Sequence, residues 1–482
     1  MSVVDQRPQR RAPLVVVIVV ALLPALGLAV LWRFAEAADD VEPVIEIVTA
    51  TPDGPPSPEL STALASLRRI PGPLADVAAA SQYDALLDTA VVEALADAPP
   101  TSCVAVMLDG TPVAGVRETS AVLPASNQKL LVAAVALEVL DPHAGFVTEV
   151  RGAPLSNGVL VGDLHLVGGG DPALISDELA ESIVRPLPTI TRFDDLVDRL
   201  VETGLTRVEG DVVADATRYD DEFLVPSWGS DITRDDGGPI GALLVNGGRI
   251  FGSGIGLNPA QAAANELNRL LAARGIAVTG GNRVDAVPEG LEVLAAVESA
   301  PLAEIVEAML VVSHNTTAEM LLKEIGHTVA GEGSRPAGMA AVRERLAAWN
   351  VPLEGASLED GSGLSRENAV SCATFTGVLA HAGADGELAD ALPVAGESGT
   401  LADQLLDTPA EGLLRAKTGT LTGAKSLSGF FPTPTGEVFE FSVLLEGDAV
   451  DDPTLHVPVW TTLVDAFARY PVEPDEDPFA PR

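Results

Sequence analysis

The chain has 482 residues, 47% of them hydrophobic, and carries 69 acidic against 29 basic side chains, a formal net charge of −40. That charge excludes nucleic acid as a natural partner, because phosphates would be repelled rather than neutralised. Two cysteines and six histidines show neither Cys-x-x-Cys nor His-Glu-x-x-His spacing, so no metal is expected. No cofactor motif is present either: Gly168-Gly169-Gly170-Asp171 lacks the Gly-Lys-Ser/Thr ending of a phosphate loop and reads as a turn.

Arg7, Arg10 and Arg11 precede an apolar run from Ala12 to Trp32. At about 1.5 Å per residue that run spans roughly 30 Å as a helix, the thickness of a bilayer core. The basic flank keeps residues 1–11 cytoplasmic and places everything after Trp32 outside. Ala35-Glu36-Ala37 has the small-x-small form of a cleavage site. Residues 12–32 are therefore either an anchor in the cytoplasmic membrane or a signal segment that is removed. Residues 33–61, rich in Pro, Asp and Glu, read as a disordered linker, and 472–482 as a disordered tail.

Between these ends the pattern mixes helix and strand. "TSCVAVMLDGTPVAGV" predicts two strands around an Asp109-Gly110 turn. "PASNQKLLVAAVALEVL" predicts a helix that starts beside Ser126. From Gly152 to about Asn258 short strands and Gly-rich turns are expected, followed by a helix over 259–275 and a strand in "IAVTGGNRV". Helices dominate from Leu302 to about Leu388. The end has strands in "AKSLSGFFPT" and "VFEFSVLLEG" and a helix in "PTLHVPVWTTLVDAFARY". Strands at both ends point to one sheet assembled from both, an α/β fold of the α+β kind. Its first part is expected over 62–150, a β-rich insertion over 151–290, and its second part over 291–471. Cys103 and Cys372 either pair, as an exported chain permits, or stay as two buried thiols.

Only four lysines occur: Lys129, Lys323, Lys417 and Lys425. Ser126 is the one serine placed three residues before a lysine, on the same helical face. A serine hydroxyl is a weak nucleophile that needs a base within reach. Lysine serves when burial lowers its pKa, and a helix N-terminus offers N–H groups to an oxyanion. In Ser313-His314-Asn315 the serine can pass a proton and the asparagine can hold a carbonyl. His314 reads as an intervening residue, since no Gly-x-Ser-x-Gly elbow exists. In Lys417-Thr418-Gly419-Thr420 the cation and hydroxyls suit a carboxylate, and the glycine admits a close backbone. Each stretch taken alone also reads as a helix cap or a turn. Glu319 and Lys323, four apart on a helix, read as a surface pair.

Ser-x-x-Lys, Ser-x-Asn and Lys-Thr-Gly in this order form the set of penicillin-binding proteins and class A β-lactamases. Ser313 follows Ser126 by 187 positions, which leaves room for a large insertion, and Lys417 follows Ser313 by 104. With "GDLHLVGGGDPAL", "LEDGSGLSRENAV", "GESGTL" and "AKTGTLTGAKSLSGF", the chain resembles the class C low-molecular-mass penicillin-binding proteins. These are the D-alanyl-D-alanine carboxypeptidase/endopeptidase type, peptidase family S13, and the resemblance runs from roughly Leu64 to Tyr470. Two stretches depart from the family: "LLVNGGRI" has glycines where a second asparagine is usual, and "GESGTL" has Glu397-Ser398 where an aspartate is.

The resemblance implies a penicillin-binding-protein/β-lactamase-like transpeptidase domain, an antiparallel sheet flanked by helices, with the insertion between the first and second motifs. It implies that Ser126 attacks the bond between two D-alanines of a peptidoglycan stem peptide while Lys129 takes its proton. Ser313 and Lys417 then serve the leaving amine, and Asn315 holds a substrate amide. Lys417, Thr418, Gly419 and Thr420 line the carboxylate subsite, and the N–H groups of Ser126 and Thr420 hold the oxyanion. An acidic residue of the insertion is expected at the amine of the stem-peptide diamino acid, with Asp171 the candidate. β-Lactam antibiotics would acylate Ser126. The alternatives are a serine β-lactamase, which the long insertion disfavours, and a non-catalytic cell-wall-binding protein, which intact Ser126, Lys129 and Lys417 disfavour.

Overall fold

The computed structural model describes residues 83, 85–182, 188–229, 236–250, 254–255 and 258–470. The expected membrane segment at 12–32, the linker at 33–61 and the tail at 472–482 lie outside the described residues. Among the described residues no helix is long and apolar enough to cross a membrane. The chain divides into units 1–70 and 71–482, and every described residue belongs to the second.

After a helix at 85–94, β1 (Cys103–Leu108) and β2 (Thr111–Val116) form a hairpin. Asp109 and Gly110 both take positive φ, 48° and 73°, as a two-residue turn requires. A short turn at Ala125–Asn127 leads into α1 (Gln128–Val139). Next come β3 (Val147–Gly152), β4 (Leu164–Val167), α2 (Phe193–Glu202) and β5 (Val212–Asp215). They are followed by α3 (Pro259–Ala273), β6 (Asn282–Val284) and β7 (Glu292–Glu298). Four helices follow: α4 (Leu302–Val312), α5 (Asn315–Ala330), α6 (Arg335–Ala348) and α7 (Cys372–Ala382). The described chain closes with β8 (Arg415–Leu421), β9 (Ala424–Pro432), β10 (Val438–Glu446) and α8 (Pro453–Phe467).

The main sheet has the order β8-β9-β10-β1-β2 and is antiparallel throughout. It is built from both ends of the unit, with Cys103 opposite Leu444 and Leu108 opposite Phe439. Both faces are covered. Successive strand residues point to opposite sides, so Cys103 and Ala105 join the core made with α1 and α4–α7. Val104 and Val106 join a second core with the helix at 85–94 and with Trp460 and Phe467 of α8. Burial on two sides explains why β10 is enclosed at every position from Phe439 to Leu445. It also explains why α1 is buried continuously from Gln128 to Ala136: a helix apolar all round is one packed on every side.

The inserted region has its own sheet, β6-β5-β4-β3-β7, with β6, β5 and β4 parallel and β3 antiparallel to both neighbours. Its strands β3 and β7 begin at Val147 and end at Glu298, so the expected limit at 151 falls inside β3 and that at 290 just before β7. Helices pack against the strands of this region. Phe193, Leu196, Val197 and Leu200 of α2, spaced i, i+3, i+4, i+7, and Ala263, Leu267 and Leu271 of α3 supply much of its core.

Cys103 and Cys372 are joined in a disulfide across a sequence separation of 269. It links the first residue of β1 to the first of α7, and both ends are fully buried. Closing so long a loop restricts the unfolded chain, so the C103A/C372A variant is expected to lose about 2–5 kcal/mol of stability. Thermal melts of the variant and the parent check this, and equal midpoints would contradict it.

Candidate active site

The site is assembled where the open edge of the main sheet meets the start of α1. Alternation along β8 turns Lys417 and Gly419 to the face that carries the serine turn. A Cβ on Gly419 would lie 2.2 Å from Ser426 Oγ and 2.8 Å from the Ser126 nitrogen. The glycine therefore makes room for the chain's own serine turn. That turn is strained, since Ala125 has φ 48°. The loop Asp360–Leu364 closes over it from the other side. Gly363 has φ 85°, and a Cβ there would sit 1.9 Å from the Ala125 carbonyl oxygen.

The three motifs meet in this cleft. Lys129 is fully buried, and Ser126 is half-buried beside it. Lys129 Nζ lies 2.9 Å from Ser126 Oγ, 2.7 Å from Asn315 Oδ1 and 2.7 Å from the Ser362 carbonyl oxygen. As an ammonium it donates to all three. As a neutral amine it donates to two and turns its lone pair to Ser126 O–H. Burial pushes its pKa down to about 7, against the opposing pull of Asp360 and Glu319. Lys417 Nζ donates to Ser313 Oγ at 3.0 Å and to the Thr418 carbonyl at 2.7 Å. Burial first, then Lys129 and Lys425, hold its amine well below the ordinary lysine value.

Ser313 ends α4 in the left-handed region, φ 58°, and the sharp turn this makes lets α5 start at Asn315. Asn315 is engaged at both ends, its Oδ1 by Lys129 and its Nδ2 donating to the Asp236 carbonyl at 2.8 Å. His314 caps α5, its Nδ1 accepting from the Thr317 N–H. Burial and the Lys129 charge hold it down to about 4, so it is neutral and turned to the helix. Thr418 Oγ1 donates to Thr400 Oγ1 at 2.7 Å, which brings "GESGTL" beside β8. Thr420 is exposed at the cleft and accepts from Lys425 Nζ.

Three residues, Asp171, Glu319 and Lys323, stand otherwise than the sequence suggests. Asp171, expected at a substrate amine, is fully enclosed. Its Oδ1 accepts from the Ala173 N–H at 2.8 Å, and burial raises it to about 6. The glycines before it drive it inward: a Cβ on Gly168 would meet the Ala242 oxygen at 2.4 Å, and one on Gly169 the Val147 oxygen at 2.0 Å. Glu319 and Lys323 share a helical face, but neither is on the surface, each being 1% exposed. Lys323 reaches Asp220 and the Glu222 carbonyl of the insertion. Glu319 accepts from the Gly361 and Ser362 N–H groups at 3.1 and 2.7 Å.

Several further residues shape the site. Asp360, fully buried, accepts from the N–H groups of Gly363 and Ser365, from Asn368 Nδ2 and from Trp228 Nε1 of the insertion. The four-residue step Asn315, Glu319, Lys323 is the signal that one face of α5 carries this chemistry. Among the described residues no cluster of His, Cys, Asp or Glu is arranged to hold a metal ion.

The profile of the D-Ala-D-Ala carboxypeptidase 3 (S13) family matches residues 87–253 and 256–459. The chain is 34% identical over 416 residues to a D-alanyl-D-alanine carboxypeptidase of Actinomadura sp. (strain R39), covering 69% of this chain and 74% of that one. It is 31% identical over 364 residues to carboxypeptidase DacB of Mycolicibacterium smegmatis, covering 72% and 74%. In structure it is similar to penicillin binding protein 4 (dacB) from Haemophilus influenzae, with TM-score 0.68 at 21% identity over 78% of this chain and 98% of that one. The same Haemophilus protein complexed with a β-lactam gives a TM-score of 0.64 over 78% and 99%. That likeness shows the penicillin-binding-protein fold. The profile runs from the helix before β1 into α8, and the chain belongs to the D-Ala-D-Ala carboxypeptidase 3 (S13) family.

Proposed function

We propose that this D-alanyl-D-alanine carboxypeptidase works through an acyl-enzyme on Ser126, with the neutral amine of Lys129 as the base. The observation that carries the reading is the Lys129 amine: fully buried, brought down to about 7, and 2.9 Å from Ser126 Oγ. The Ser126 O–H proton passes to Nζ as Oγ bonds to the carbonyl carbon between two D-alanines of a peptidoglycan stem peptide. The C–N bond then breaks. The leaving amine takes a proton through Ser313 Oγ, which Lys417 supports at 3.0 Å. The terminal D-alanine departs, and water resolves the ester on Ser126.

Preorganised donors at the developing charge lower the barrier without rearrangement, and the N–H groups of Ser126 and Thr420 take that role. Asn315 orients the base through Oδ1 and offers Nδ2 to a substrate amide in place of the Asp236 carbonyl. Lys417, Thr418 and Thr420 hold the terminal carboxylate. The same acyl chemistry acts on a D-alanyl cross-link, which makes the chain an endopeptidase as well. β-Lactams acylate Ser126 and leave slowly. The enzyme acts outside the cytoplasm, and a disulfide suits that oxidising compartment. Residues 12–32 then either tether it to the membrane or export it.

A fluorescent penicillin is expected to label the protein covalently, and Ser126→Ala to abolish labelling; equal labelling of the variant removes the nucleophile assignment. Lys129→Arg keeps the charge but cannot accept a proton, so acylation is expected to fall by about 100-fold or more. Near-normal acylation by that variant excludes the base role. Only the neutral amine accepts a proton, so the acylation rate should rise with pH through a midpoint of about 7. A flat profile over about pH 5 to 9 contradicts this. Mass spectrometry of digested muropeptides is expected to show loss of one D-alanine, with cleaved cross-links where the endopeptidase activity operates.

A further inference from the structure

Lys129 needs two fixed acceptors if its lone pair is to face Ser126. Asn315 is one, held at the start of α5. The other is the Ser362 carbonyl, which lies on a loop between α6 and α7, and a loop does not aim a carbonyl by itself. Two buried carboxylates aim it. The peptide unit that supplies the Ser362 oxygen donates its N–H, that of Gly363, to Asp360 Oδ1 at 2.8 Å. The preceding unit donates the Ser362 N–H to Glu319 Oε1 at 2.7 Å, and the Gly361 N–H goes to Oε2 at 3.1 Å. Asp360 belongs to the loop itself. Glu319 does not: it stands one helical turn after Asn315 on the same face of α5, so one rigid element fixes both acceptors of the amine.

We propose that Glu319 is a positioning residue for the acylation step, holding the Gly361 and Ser362 amides so that the Ser362 carbonyl meets Lys129 and the third position of the amine is left to Ser126. The inference rests on the reading of Lys129 as the base. A carboxylate is an unusual choice for a fully enclosed position, since burying it is costly and two backbone N–H groups offset only part of that. An apolar side chain would pack there without that cost but would leave both N–H groups unpaired.

Glu319 also acts on the amine through its charge. The groups that face the pair are Asp360 from the loop, Arg335 from α6, His314 before α5 and Lys417 from β8. Asp360 and Glu319 itself favour protonated Lys129. Burial, and then Asp360, raise Glu319 itself to about 7. Glu319 thus titrates in the same range as the base, and removing its charge should move the base to lower pH.

The test is the second-order rate of Ser126 acylation by a fluorescent penicillin against pH, on the full chain, normalised to the fraction that labels. Glu319→Ala is expected to lower the plateau rate about tenfold or more, because the carbonyl loses its aim. Glu319→Gln keeps an oxygen for the Ser362 N–H, so its plateau should recover to within about threefold of the parent. Its midpoint should lie below the parent's. If Glu319→Ala does not fold, Glu319→Gln decides. A folded Glu319→Gln with the parent's rate and midpoint overturns the proposal, as does a variant that loses labelled fraction but keeps both. Lys129→Arg, run alongside, separates the two readings. Lost acylation there with unchanged Glu319 variants sinks this inference alone, and retained acylation there sinks the base assignment beneath it.

Discussion

An ammonium group taken out of water costs several kcal/mol unless each of its N–H groups finds an acceptor, and Lys129 is taken out of water completely. Its three acceptors come from three places: the serine turn before α1, the first residue of α5 and the loop after α6. Satisfying one amine therefore forces together segments that the sequence keeps far apart. The downward shift has a second face. An unfolded lysine holds its proton to about pH 10.4, while the folded one releases it at about 7. Between those values the unfolded chain binds more protons, so this group's contribution to stability improves as pH rises through the window. Below it, the shift costs about 5 kcal/mol in full, and the α1 core with its fully buried Leu130, Leu131 and Val132 must outweigh it.

What was legible in the sequence was local. The three motifs stand out because they are short, ordered and contain two of only four lysines, and the Asp109-Gly110 hairpin follows from turn chemistry. The helical period of α2 was legible as well, at Phe193, Leu196, Val197 and Leu200, yet a reading of this region as short strands and turns passes over it. What was not legible depends on distant chain. The pairing of Cys103 with Cys372 requires β1 to be locked against β10, and nothing near either cysteine announces that. The face shared by Glu319 and Lys323 follows from spacing, but its burial depends on residues 218–222 of the insertion lying across it. The enclosure of Asp171 follows only once the glycines before it are seen as sites of backbone contact.

Helix α5 is the spine that joins the two halves of the unit. Asn315 bonds Lys129, and Glu319 bonds the amides of Gly361 and Ser362. One turn on, Lys323 grips Asp220, and Glu324 takes a bidentate bond from Arg218 and a third from Tyr219. Arg335 at the start of α6 adds Glu222 and Glu359. Buried pairs of this kind add little net stability, because desolvation offsets attraction, but they fix register. Trp228 extends the same link to the loop that serves Lys129, through its bond to Asp360 at 2.8 Å. The insertion is thus bonded to the framework around Lys129 and is more than a lid beside it.

The main sheet has a consequence for the order of events in synthesis and export. Its strand β1 precedes the Ser126 turn closely in the chain, yet its partner β10 is made more than 300 residues later. Pairings of such sequence separation form late, because their loop-closure entropy must be overcome first. Ser126 emerges early, but the strand that carries Lys417 and the loop that bonds Lys129 do not exist until most of the chain has been threaded. A nascent or truncated chain that ends before β8 therefore carries Ser126 with no finished cleft around it. A carboxypeptidase built in this way is silent until its last hairpin closes.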